Sequence, residues 1–277
     1  MNALQKYLLA GSIVLLGAAS SAFAGSAPPP GGGVPGPGGV TQFAVLGGTN
    51  VTCTNGSVVG DVGVSPGSAV SFTDTGCTIT GGRPPATDAA AVQARADFLN
   101  TYATLRQQTN SCVSLLGTLA GLNLSPGVYC LDAVAKTGVL TLTGPSTGVW
   151  VFLVEGALTG TNFSVVMAGG GQPCNVFWAP IADATLTTSA MKGNILAGNA
   201  IGGSITLTGG SLAGRALANV GVTMTDAHVI GCDVLSNPPS SCKDKKDRGH
   251  GHDNDHGNDK DKKHKGHDKD KEYKDRN

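Results

Sequence analysis

The sequence predicts a mainly β protein, a solenoid of stacked coils with one long helix. Three observations carry that prediction. Four segments with starts 25, 19 and 21 residues apart lay over one another, from Val149, Cys174, Gly193 and Gly214. Threonine pairs spaced T-x-T recur through them, and one capped, amphipathic stretch stands apart from the strands. An ordinary β-sandwich with coincidental similarity is the alternative, but a sandwich seldom keeps so constant a spacing over four units.

Residues 1–24 read as a signal peptide: Lys6, then an apolar run from Leu8 to Ala19, then an A-x-A site at Ala22-Phe23-Ala24. Secretion to the extracellular space is therefore expected. No later stretch reaches the ~18–20 uninterrupted apolar residues of a membrane span. Residues 25–39, "GSAPPPGGGVPGPGG", form a Pro/Gly linker with nothing to bury. The folded domain is expected over residues 40–235, with Pro238 and Pro239 as breakers beyond it.

The helix is expected over about residues 87–108, with Thr87 or Asp88 as N-cap after Pro84 and Pro85. Ala91, Ala94, Phe98, Tyr102 and Leu105 fall on one narrow stripe, so one side should lie along something larger. Its Asp and Arg residues read as a solvated face. Each repeated segment then opens with an apolar strand ("VWVFLV", "NVFWA", "NILA", "RALA"). It turns through small residues, runs a threonine-alternating strand and closes on another short strand before Gly or Pro.

In a strand successive side chains point to opposite sides, so T-x-T puts both threonines on the outward side. The pairs are Thr159/Thr161, Thr185/Thr187, Thr206/Thr208 and Thr223/Thr225, joined by Thr52/Thr54 near the N-terminus. Thr141/Thr143 and Thr78/Thr80 show the same spacing. High β propensity explains some threonine, yet the opening strand of each segment has almost none. Stacked coils would set equivalent threonines ~4.7–4.9 Å apart, in a flat array of rigid, β-branched methyl and hydroxyl groups. Such an array suits a partner that is itself flat, uncharged and regular, such as ice or a crystalline polysaccharide.

Charge supports this. The 35 residues from position 243 hold 12 Lys/Arg and 10 Asp/Glu, whereas the 242 before them hold 7 and 9. So charge-poor a body is a weak partner for nucleic acid or anionic membranes. The acids before the tail are scattered and His228 is the body's one histidine, so no Ser-His-Asp, paired-carboxylate or zinc constellation can be assembled. No enzymatic activity, cofactor or structural metal is expected. The residues 236–277 read as a disordered tail of mixed charge, with five histidines. Its roles are solubility, or loose contact with metal or a cell-surface polymer.

Seven cysteines in an exported chain favour disulfides. Pairing neighbours in order gives Cys53–Cys77, Cys112–Cys130 and Cys174–Cys232, with Cys242 left over; buried thiols are the alternative.

Six stretches occur in one characteristic order: "GDVGVSPGSAV" (60–70), the helix, "GLNLSPGVYCLD" (121–132), "CNVFWAPIADATL" (174–186), "KGNILAGNAI" (192–201) and "GRALANVGVTM" (214–224). Over roughly residues 40–232 the chain resembles the ice-binding-like family of secreted antifreeze proteins from bacteria, fungi and diatoms. The resemblance implies a discontinuous right-handed β-helix of triangular section with a long α-helix packed alongside. It implies a protein without catalysis that adsorbs to ice through one flat face and pins the growth front; separately, a monomer is expected. "TGTN" at 159–162 matches the T-[A/G]-x-[T/N] pattern of some members. The alternative is an extracellular adhesion or matrix module using the same face. Asp183, Asp226 and His228 lie near the threonine pairs and would interrupt a flat surface.

Overall fold

A computed structural model describes residues 43–66, 72–84 and 88–236. The expected signal peptide and linker, Thr87, Cys242 and all but the first residue of the tail lie outside them. The described chain opens with two three-stranded coils. The first holds β1 (Phe43–Gly47), β2 (Asn50–Thr54) and β3 (Ser57–Val59), and the second β4 (Asp61–Val64), β5 (Phe72–Thr75) and β6 (Thr78–Thr80). The helix α1 (Ala89–Arg106) follows, continued by a 3-10 turn through Gln107–Ser111.

Six further coils come next. They are built from β7 (Val113–Leu115) and β8 (Asn123–Leu124), β9 (Gly127–Leu131) and β10 (Lys136–Thr143), and β11 (Trp150–Val154) and β12 (Leu158–Ala168). After them run β13 (Val176–Pro180) and β14 (Ala184–Lys192), then β15 (Asn194–Ala197) and β16 (Ile205–Ala213). The last coil has β17 (Ala216–Ala218), β18 (Gly221–Thr225) and β19 (His228–Ile230), before a short helix α2 (Cys232–Ser236). The long strands β10, β12, β14 and β16 each turn a corner and serve two faces.

Every strand pairing among the described residues is parallel, as the repeat requires, with register shifts between Phe43 and Val45 and between Lys136 and Gly138. The first face runs β4-β1-β17-β15-β13-β11-β9-β7, so the two N-terminal coils stack on the C-terminal one. Val45 pairs with Ala216, Thr52 with Thr223 and Val58 with Val229. The β-helix is thus discontinuous: α1 carries the chain from one end of the stack to the other, and the last coil climbs back to meet the first.

The helix explains why the opening strands of the segments lack threonine. Ala91, Ala94, Phe98 and Leu105 pack on Phe43, Leu46, Val151, Leu153, Phe177 and Leu217, on the outer side of the first face. That face is covered on both sides, so its strands read as continuous apolar runs rather than alternating ones. Asp88 caps α1, its carboxylate accepting the Ala90 N–H at 2.8 Å. Thr101 joins the buried stripe, while Tyr102 stays half-buried and donates to the Pro180 carbonyl at 3.0 Å.

The arginines of α1 are half-buried and bonded to the coils rather than free on a solvated face. Arg95 donates to Asn219 Oδ1 at 2.7 Å, and Arg106 donates to the Ala179 carbonyl at 3.2 Å and Glu155 at 2.9 Å. A helix with so narrow an apolar stripe needs such clamps near both ends to keep its position on the sheet.

Inside the coils, Tyr129, Phe152 and Trp178 form one stacked aromatic column, with centroids 5.5 and 4.1 Å apart. The three expected disulfides are present: Cys53–Cys77, Cys112–Cys130 and Cys174–Cys232. Each ties a segment to a neighbouring coil where the chain enters or leaves the stack. Cys53–Cys77 fastens the outermost coil, Cys112–Cys130 the chain leaving α1, and Cys174–Cys232 the start of α2.

Candidate functional site

The second face is built from the strand segments between two corners of each coil. Along it Thr159 pairs with Thr185, Thr185 with Thr206, Thr206 with Thr223, Thr223 with Thr52, and Thr52 with Thr73. A second column runs beside it through Thr161, Thr187, Thr208, Thr225, Thr54 and Thr75. All ten threonines expected from the sequence fall in these two columns. All twelve members are exposed or half-buried, while Gly160, Leu186, Leu207, Met224 and Cys53 between them are buried.

Two T-x-T pairs do not belong. Thr141 and Thr143 pair with Val166 and Ala168, and Thr78 and Thr80 pair with Ser57 and Val59, all on the third face. The corner between the two faces explains this. Seven of the coils carry a left-handed residue there: Gly138, Asn162, Thr188, Gly209 (followed by a second, Gly210), Asp226, Asn55 and Gly76. Gly, Asn and Asp accept that conformation readily, which turns the chain within one residue. Threonine pairs before the corner join the columns, and Thr141/Thr143 and Thr78/Thr80 come after it.

Thr73 and Thr75 are members that the sequence reading left out. Their spacing was visible in "FTDT" (72–75), but Asp74 stands where an inward apolar residue is expected. Asp74 pairs in register with buried Cys53, yet its coil is the outermost of the stack, so its inward position lies at the open end. There it forms an ion pair with Arg83 at 2.6 Å, and the Arg83 guanidinium sits 4.9 Å from the Phe72 ring centroid. A charge is tolerated because this end faces solvent rather than another coil.

On the other side, below Thr159 and Thr161, Lys136 is in register with Gly160. Lys136 points inward and is 1% exposed, with Nζ donating to Asp132 Oδ1 at 2.7 Å and to the Gly117 and Asp132 carbonyls. The Lys136 hydrogen bond, joined by the Gly117 N–H, holds the Asp132 carboxyl below its ordinary value. This ammonium is buried but fully partnered, and it closes the interior under the columns.

No outward-pointing ionisable side chain stands in the twelve-threonine array. Asp183, at the corner where β14 begins, turns its carboxylate onto the Gly203 and Ser204 N–H groups at 3.0 and 2.9 Å. Asp226 lies at the opposite corner. His228 is on the third face, with Nδ1 2.8 Å from Ser57 Oγ. The expected interruption of flatness by these three is therefore confined to the rims. Among the described residues, no His/Cys/Asp/Glu group could hold a metal ion, and no helix is long and apolar enough to cross a membrane.

The face is thus two columns of rigid hydroxyl and methyl groups, repeating every ~4.7–4.9 Å between coils and ~6.6 Å along each strand. Residues 45–230 match the sequence model of the family described as ice-binding-like. The chain belongs to the ice-binding-like family. An ice-binding protein of Nostoc sp. (strain HG1) is 37% identical over 213 residues, covering 72% of this chain and 74% of its own length. One of Flavobacterium frigoris (strain PS1) is 31% identical over 212 residues, covering 66% and 71%.

Among solved structures, an ice-binding protein from an Antarctic biological consortium superposes with a TM-score of 0.63 at 30% identity, over 71% of this chain and 90% of its own. That of the Antarctic ascomycete Antarctomyces psychrotrophicus gives 0.58 at 28%, over 70% and 97%. The ice-binding-like fold therefore accounts for the described residues from β1 to β19.

Proposed function

We propose that the protein adsorbs to ice through the two threonine columns and inhibits ice growth or recrystallisation. The observation that carries this reading is the register: twelve threonines on six coils stack in two uncharged columns, and neither other face has a comparable array. Hydroxyls offer hydrogen bonds to lattice water, while the methyls leave no ionic hydration shell to hold disordered water against the crystal. β-Branching restricts χ1 to few rotamers, so little side-chain entropy is lost on docking. Once adsorbed, molecules pin the growth front between them. The function is one of surface complementarity, without catalysis.

Relatives named as ice-binding proteins favour ice over a carbohydrate or protein partner for the face. Export by the N-terminal segment would place the protein where extracellular ice grows, and a monomer suffices because one chain carries the whole face. Partition into a slowly growing ice hemisphere tests the proposal. The wild type should be enriched in the ice, and Thr206→Tyr and Thr185→Tyr should be excluded from it with unchanged circular dichroism. Retention of both variants in the ice would move the site to another face.

A further inference from the structure

Several coils pass from the first face to the threonine face in two to four residues, whereas between β15 and β16, as between β7 and β8, the chain takes seven, here residues 198–204. At its tip stands Ile201, an aliphatic side chain that is 98% exposed. An exposed isoleucine is unremarkable on a loose loop, but this loop is fastened on both sides.

Asn199 Oδ1 accepts the Ile201 N–H at 3.1 Å in an Asx turn. The Asn199 amide donates to the Ile181 carbonyl of the coil below, and its carbonyl accepts from the Asn219 side chain at 2.9 Å in the coil above. Asn219 is in turn held by Arg95 of α1 at 2.7 Å. At the loop's far end Asp183 receives the Gly203 and Ser204 N–H groups, and the Gly203 carbonyl accepts the Val220 N–H at 3.1 Å. Gly203 itself is left-handed, where a Cβ would meet the Ala197 carbonyl. The loop base therefore leads straight into Ser204 and Thr206, at the edge of the first threonine column.

We infer that Ile201 is a further ice-contact residue, an aliphatic finger presented at the rim of the threonine face. The inference rests on the proposed function of that face. A surface loop held by adjacent coils has lost its conformational entropy before any partner arrives, and what it presents is apolar. Ice is a partner that rewards an uncharged, rigid aliphatic group beside hydroxyl–methyl columns, for the same reason the columns carry no charge. Loops anchored on a rigid scaffold commonly carry binding residues.

The test measures thermal hysteresis and ice-hemisphere partition of the full chain for Ile201→Ala, Ile201→Lys and Ile201→Thr, with Thr206→Tyr alongside. The melting temperature should stay at the wild-type value in every Ile201 variant, because the side chain is exposed. At a fixed sub-saturating concentration, thermal hysteresis should fall about two- to five-fold in Ile201→Ala, and further in Ile201→Lys. Ile201→Thr, which keeps a β-branched methyl, should stay close to wild type. Wild-type hysteresis in Ile201→Ala and Ile201→Lys, with Thr206→Tyr inactive, overturns the finger and leaves the threonine face standing. Full activity of Thr206→Tyr overturns the reading of the face and the inference with it.

Discussion

Thr52, in the first coil of the chain, lies directly beside Thr223, in the last. The two threonine columns therefore run unbroken across the discontinuity of the β-helix, and the face is completed only when the termini of the domain meet. Residues at the seam should matter as much as those in the continuous part. Thr52→Tyr and Thr223→Tyr are each expected to reduce thermal hysteresis at least about ten-fold, the scale of losing close contact over a rigid interface. Thr73→Tyr and Thr75→Tyr should also weaken it, whereas Thr141→Tyr and Thr78→Tyr, on the third face, should leave it unchanged. Dose–response curves of thermal hysteresis for the six variants distinguish the faces.

The outermost of these coils depends on Cys53–Cys77, which closes a separation of 24 residues. Replacing both cysteines by alanine is expected to cost about 3 kcal/mol of stability from the entropy of the unfolded loop. The loss should be read as a lower denaturant midpoint. Local protection in amide hydrogen exchange should fall first in β5 and β6, because they have a neighbouring coil on one side only.

At the other end of the stack, the Asp132–Lys136 pair predicts an acid sensitivity. The Asp132 carboxyl is held below its ordinary 3.8, principally by its Lys136 hydrogen bond. A depressed carboxyl contributes stability that is fully present above the unfolded value and lost as the pH falls through the lower folded one. Unfolding midpoints should therefore drop below about pH 4 more steeply in the wild type than in Asp132→Asn. At neutral pH Asp132→Asn should cost about 2–4 kcal/mol, since it leaves a buried ammonium without its counter-charge. Lys136→Met in the same background should recover part of that loss.

Thr188 is the one β-branched residue in the left-handed corner column, at φ 45°. Its Oγ1 donates to Asn162 Oδ1 at 2.7 Å, which compensates only part of the conformational cost. Thr188→Asn suits the conformation and keeps a polar side chain towards Asn162. It should raise stability by about 0.5–1 kcal/mol, seen as a higher melting temperature in calorimetry. Ice partition should not change, because Thr188 lies outside both columns.

Much of this architecture is readable from the chain alone. Coil spacing, outward threonines around Leu186, Leu207 and Met224 and the capped stripe from Ala91 to Leu105 are local or short-range patterns, and pairing cysteines in chain order gives the three disulfides as well. They survive because alternation and helical periodicity follow from backbone geometry whatever the surroundings. The same locality explains the misreadings. "TLTG" at 141–144 and "TITG" at 78–81 match "TLTG" at 206–209 in form, but only the last has its turning glycine, Gly209, in the left-handed conformation after the pair. Arg95 and Arg106 read as solvated because their partners, Asn219 and Glu155, are remote in the chain.

The sequence by itself determined which side chains point in and which point out, since a strand's period of two is intrinsic to the backbone. It determined the uncharged character of the threonine strands as well. The tertiary structure decided which of three faces each strand joins, because that depends on where the left-handed corners fall. It also decided that Thr73 and Thr75 complete the columns and that α1 covers a different face. Both follow from the N-terminal coils closing on the C-terminal one, a contact that no local pattern encodes.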